Sequence, residues 1–305
     1  MDWLTRLPLI GPAVAWVTRS RAYRVYEHFN DVGSNRLAGA VTFFGFLALF
    51  PLLTVALAVA AAVLTDSRVA ELQQKIGEQI PGLSKQLNLH DVAANAGTVG
   101  LVSGVILLIS GLGWVDTTRV AIRTSWYLPI EPGNVAIRKA WDTLMLIGLG
   151  LVGAVSLGAS TAAGSLTGQV AKWLGLDGST AGQVVLGVLA FVLAVCVDVL
   201  VFAYLLVGLP RIFGQPRKVV LQAALMGAVG FEILKQALAA YVAHIATKSV
   251  YGAFGTPIAL LLWINFMCRW LLYCVAWTAT ADPAAARARA HERAVEAVAK
   301  ADEDV

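Results

Sequence analysis

Six stretches of this chain run for some twenty residues or more with almost no charge, at roughly 37–64, 97–118, 142–166, 183–209, 219–243 and 254–281. About twenty apolar residues are what an α-helix needs to cross a bilayer core, and runs of that length exceed what a buried helix of a soluble domain uses. The whole chain is 58% hydrophobic and only 14% charged, against about a quarter charged for a soluble domain. The expected fold class is therefore all-α: a polytopic membrane helix bundle with six transmembrane helices. Residues 1–36 read as an amphipathic N-terminal segment, 37–281 as the transmembrane domain with an outer loop at 65–96, and 282–305 as a helical tail.

Orientation follows from the loops, because Lys and Arg collect on the cytoplasmic side. Arg6, Arg19, Arg21, Arg24 and Arg36 precede the first span. Arg119, Arg123, Arg138 and Lys139 sit between the second and third, and Arg211, Arg217 and Lys218 between the fourth and fifth. Arg287, Arg289, Arg293 and Lys300 lie in the tail. These far outnumber Arg68, Lys75, Lys85, Lys172 and Lys248 in the alternate loops, so both termini are expected in the cytoplasm.

Ala13-Val14-Ala15 resembles a cleavage site, but Pro8 and Pro12 break the apolar stretch before it, and an uncleaved N-terminus is expected. Residues 13–30 read instead as a helix on the cytoplasmic membrane surface. Ala22, Val25, Tyr26 and Phe29 share one face, and Arg19, Arg21 and Arg24 are placed to meet anionic headgroups. The outer segment reads as short amphipathic helices broken at Pro81-Gly82. Cys196, Cys268 and Cys274 lie inside apolar runs without a CxxC or Cys/His pattern, so no metal and no redox motif is expected.

Small residues let membrane helices approach closely. Gly100 and Gly104 mark such a face in the second span, Gly164 and Gly168 in the third, where Ser156, Ser160 and Thr167 add a polar stripe. Phe50-Pro51 is expected to kink the first span or interrupt its hydrogen bonds. Trp263, Phe266, Trp270, Tyr273 and Trp277 recur at steps of three and four, giving the last span one aromatic face for helix packing or for lipid.

Charge inside the spans is the exception that needs a cause. Asp198 falls near the centre of the fourth span, Glu232 near the centre of the fifth with Lys235 and Gln236 beside it, and Asn265 and Arg269 in the sixth. Each charge at the bilayer centre costs about 2.5–3.5 kcal/mol, so such groups pair or face water. The reading is a charge-balanced layer made of Asp198, Glu232, Lys235, Gln236, Asn265 and Arg269, acting either as a helix lock or as a polar binding cavity.

Three stretches carry a family resemblance. LAGAVTFFGFLALFPLL (37–53), LLVGLPRIFGQPRKVVLQAALMGAVGFEILKQALAAYV (205–242) and YGAFGTPIALLLWINFMCRWLLY (251–273) are similar, in that order, to signatures of the YihY/BrkB family of bacterial inner-membrane proteins. Cys274-Val275-Ala276-Trp277 replaces the acidic ending many members have, and resembles the YhjD-type branch. The ribonuclease label once attached to the family finds no support in the residues: His28, His90, His244 and His291 are scattered, and no basic aromatic groove is present. The resemblance implies an inner-membrane, non-enzymatic protein. The expected function is translocation or binding of a lipid-like or anionic amphipathic substrate. The alternative is a membrane scaffold or docking partner of an envelope complex. Membrane lipids are the expected partners, with envelope proteins or a homo-oligomer as further ones. No nucleic acid and no cofactor is expected.

Overall fold

The computed structural model describes residues 20–63, 96–130, 134–152, 192, 195–245, 252–282 and 288. Seven helices are numbered among these residues, with no strand: α1 (Arg21–Asp31), α2 (Ser34–Val63), α3 (Ala96–Ser125), α4 (135–152), α5 (Val195–Gly208), α6 (Arg217–Ile245) and α7 (Gly252–Ala279). Four of them are long and apolar enough to cross a membrane, over Ser34–Ala56, Gly97–Ser125, Arg217–Leu238 and Pro257–Ala279. These are the first, second, fifth and sixth expected spans. Of the third and fourth, α4 and α5 are the described parts. The Ser156, Ser160, Gly164, Thr167 and Gly168 stripe, the outer loop and most of the tail lie outside the described residues.

α1 starts where the Ser20 hydroxyl caps the Tyr23 amide at 3.2 Å. It stops at Val32, after which Gly33 takes a φ of 71°, a left-handed conformation that glycine adopts without a Cβ penalty and that turns the chain directly into α2. The expected apolar face of α1 divides between protein and surroundings. Val25 and Phe29 are buried, but Tyr26 and Ala22 are exposed and His28 is buried in their place. The reason is tertiary. Phe29 stacks on Tyr273 of α7 with ring centroids 3.9 Å apart, and His28 Nε2 lies 2.7 Å from the Ser125 carbonyl at the end of α3. α1 is thus docked on the bundle rather than only on a membrane surface.

α2 and α3 pack as antiparallel neighbours: Gly45 lies against Trp114 and Gly100 against Ala58. α2 runs through Pro51 without ending. α4 opens with Asn134, whose side chain accepts from the Ala136 amide at 2.8 Å. α5 closes in a π turn at Tyr204–Gly208, where Tyr204 donates its hydroxyl to the Met145 carbonyl of α4 at 3.0 Å.

The aromatic stripe of α7 is mainly a packing device. Trp263 and Trp270 donate their indole N–H groups to the Leu234 and Met226 carbonyls of α6, at 2.9 and 3.1 Å. Gly230 makes room for the Trp270 ring, and Gly227 for Phe202 of α5. The buried core gathers at one end of the bundle, around Phe29, Val41, Ile122, Leu206, Leu272 and Val275. Away from it, spans display apolar side chains outward, Leu101 and Ile109 each 71% exposed. That is the pattern of a helix whose solvent is hydrocarbon.

Candidate functional site

Two arrangements of charge stand out, one within the spans and one at the end where the core gathers.

Within the spans, α5 and α6 bring three ionisable side chains together. Lys235 Nζ lies 2.6 Å from Glu232 Oε1, one turn away on α6, and 3.3 Å from Asp198 Oδ2 on α5. The two carboxylates are the shielded members, while the Lys235 side chain is 38% exposed and its ammonium also sits 4.5 Å over the Phe231 ring. The close approach of α5 to α6 at Phe202 and Gly227 is what lets Asp198 reach across. The group thus sets two acids against one base.

The remaining members of the expected layer are not brought in. Asn265 turns toward α2 and donates to the Thr42 hydroxyl at 3.1 Å, and Thr42 in turn donates to the Ala38 carbonyl. Gln236 and Arg269 are exposed. Arg269 has no hydrogen bond or ion pair among the described residues, so it does not balance the second acid. The rotation of α7, set by Trp263 and Trp270, decides this. Among the described residues, no three His, Cys, Asp or Glu side chains gather as a metal-ligand set.

At the core end, residues that sequence reading used only to orient the chain form a second, buried cluster. Arg119 is almost wholly buried, pairs with fully buried Asp142 at 3.1 Å and with Asp116, and donates to the Ile130 carbonyl at 3.1 Å. Arg123 donates to the Pro129 and Pro210 carbonyls, both at 2.7 Å, tying the turn after α3 to the turn after α5. Arg211, at a φ of 57°, lies over the Trp141 ring with 5.1 Å to its centroid. Burial pushes the Arg211 guanidinium below its ordinary value; Asp142 opposes the shift, and Arg119 and Arg138 add to it. The signal available beforehand was the i, i+3 spacing of Asp116 and Arg119 at the end of one span, with Asp142 opening the next.

Of the arginines expected at a membrane surface, Arg19 lies outside the described residues. Arg21 stacks over Trp277 at 4.0 Å and donates to the Trp277 carbonyl at 3.1 Å, and burial with Arg24 nearby lowers its affinity for a proton. Arg24 is half-buried on the same helix.

Comparison with known proteins bears on what these sites serve. A family model described as "Virulence factor BrkB" matches residues 25–297. The chain is 34% identical over 293 residues to an uncharacterised protein of Dickeya dadantii (strain 3937), covering 92% of this chain and 87% of that one. It is 27% identical over 271 residues to the inner membrane protein YhjD of Escherichia coli (strain K12), covering 85% and 80%. It is 26% identical over 275 residues to a UPF0761 membrane protein of Methylibium petroleiphilum, covering 86% of this chain and 62% of that one. No solved structure matches.

Proposed function

The chain belongs to the BrkB family of membrane proteins, and from that premise we propose that it binds and translocates a lipid-like amphipath in the bacterial inner membrane, at the Asp198–Glu232–Lys235 site. The observation that carries this reading is the placement of Lys235: a half-exposed ammonium held from behind by two shielded carboxylates on two apolar helices. A lock needs no exposed member, whereas a binding site does. An isolated charge at this depth costs about 2.5–3.5 kcal/mol, so the exposed ammonium favours an amphipath whose headgroup presents an anionic oxygen to it. Among the described residues no nucleophile–base pair meets at this site, and we read the protein as non-catalytic.

We further place the core end, with both termini, in the cytoplasm. Arg119, Arg123, Arg138, Lys139, Arg211 and Arg217 all collect there, as the excess of basic residues in inner loops demands.

A docking platform is the second reading. It is favoured by a cavity of ≈ 410 Å³ at the core end, lined by Trp126, Gln215, Pro216 and Asp282, with Phe213 beside it 68% exposed. Reconstitution separates the two. Proteoliposomes carrying the wild-type chain are expected to move a fluorescent zwitterionic lipid between leaflets, and the double variant Lys235→Ala, Asp198→Asn and the single variant Glu232→Gln to lose that movement while retaining wild-type expression and a near-wild-type melting temperature. If both variants move lipid as the wild type does, translocation through this site is wrong and the platform reading stands.

A further inference from the structure

Arg269 is the one long basic side chain within the Pro257–Ala279 span, and it is exposed, with no acid or carbonyl meeting its guanidinium among the described residues. A guanidinium facing hydrocarbon is not a stable arrangement, so it reaches for the nearest polar layer or for a counter-ion.

The polar layer is close, and α1 marks it. α1 docks on α7 at Tyr273 and Trp277, through the Phe29 stack and the Arg21 contacts, and turns Glu27, Asn30 and Asp31 outward. Exposed acids and amides there put α1 at the level of headgroups and water. Arg269 lies four residues before Tyr273, which at 1.5 Å per residue is about 6 Å deeper. Tyr273 lies one turn from Arg269 on α7 and stacks on Phe29 of α1, and Tyr26, one turn before Phe29, is 55% exposed. A cation and two phenols therefore flank the contact of α1 with α7, at the depth where the chemistry outside the protein changes from acyl chain to phosphate. Tyrosines are enriched at that boundary because their rings suit the chains and their hydroxyls the headgroups. A guanidinium matches a phosphate with two parallel N–H donors, which an ammonium does not.

We propose that Arg269, Tyr273 and Tyr26 form a binding site for the phosphate of a membrane lipid, seated where α1 meets α7. The site is separate from the Asp198–Glu232–Lys235 group and does not depend on its reading.

The test uses the full chain, delipidated in a maltoside detergent and titrated with phosphatidylglycerol under native mass spectrometry. Retention of the tightest lipid should weaken at least roughly tenfold in Arg269→Gln, the effect of losing a charge-assisted hydrogen bond. Arg269→Lys and Tyr26→Phe should weaken it less, and Phe266→Ala, also exposed on α7, should leave it unchanged. In the wild-type chain, phosphatidylglycerol should protect Arg269 from phenylglyoxal, and diacylglycerol with the same chains should not; this arm is independent of how the variants fold. Undiminished retention in Arg269→Gln overturns the proposal. So does protection by inorganic phosphate alone equal to that by lipid, which would make this a free-anion site. A change from dimer to monomer in Arg269→Gln with lipid still bound also overturns it, because Arg269 would then face a second copy of the chain.

Discussion

Arg119 and Asp142 form an ion pair 3.1 Å long in which neither side chain reaches solvent. It joins the last turns of α3 to the first turns of α4. Removing one partner of a buried pair leaves the other charge without compensation, at a cost of about 3–5 kcal/mol. Asp142→Ala should lower the melting temperature markedly, with Asp116 taking up part of the loss. The double variant Arg119→Met, Asp142→Leu should melt closer to the wild type than either single variant. Thermal unfolding in detergent followed by circular dichroism checks both.

The Lys235 group makes a different demand. Lys235→Met leaves Asp198 and Glu232 facing each other with no cation between them, and like charges so placed do not both stay ionised. That variant should unfold earlier than the wild type. Adding Asp198→Asn should restore its melting temperature without restoring lipid movement. Recovery of movement along with stability would mean that the ammonium serves only packing.

Gly230 predicts a steric effect. A Cβ there meets the Trp270 indole, whose N–H is already committed to the Met226 carbonyl. Gly230→Val should cost about 1–3 kcal/mol, as overpacking does, and should shift tryptophan emission to the red as the ring is displaced. Gly39, with open space around it, is the control: Gly39→Ala should melt like the wild type.

The docking of α1 is also testable. Phe29→Ala removes one ring of the Phe29–Tyr273 stack, and truncating a buried phenylalanine typically costs about 3–5 kcal/mol. The loss should be local. Amides of residues 23–31 should exchange with deuterium faster, while those of α6 and α7 stay protected. Uniform loss of protection would show that α1 is integral to the bundle rather than docked on it.

Much of the fold was legible because hydrocarbon imposes a simple pattern. Unbroken apolar runs locate α2, α6 and α7 to within about a turn, and the start of α3, which runs on past the expected end at 118 to Ser125. Asp198, Glu232 and Lys235 were also legible, since charge inside such a run has few places to go. The facing of Arg269 was not legible. Its direction depends on how far α7 is rotated against α6, and that rotation is set by two indole hydrogen bonds to backbone carbonyls and by a glycine that accommodates one ring. Main-chain acceptors carry no sequence signature. The same holds for Arg123, whose partners are the Pro129 and Pro210 carbonyls, so a residue that ties two turns together looked like an ordinary loop cation. For α1, the burial of His28 was not legible, because it follows from docking on the ends of α3 and α7, through the Ser125 carbonyl and the Phe29–Tyr273 stack.

The π turn at Tyr204–Gly208 stands between the part of α5 that carries Asp198 and the turn beyond it, which Arg123 holds through the Pro210 carbonyl. Such a turn holds one residue more than an α turn, and each helical residue is worth about 100° of rotation. The facing of Asp198 toward Lys235 is therefore a matter of phase, set by a single surplus residue several positions away. Deleting one residue from 204–208 would swing the carboxylate around the helix while barely altering its depth. The chain is thus under a counting constraint in this stretch, one that substitutions leave silent and that only insertions or deletions expose.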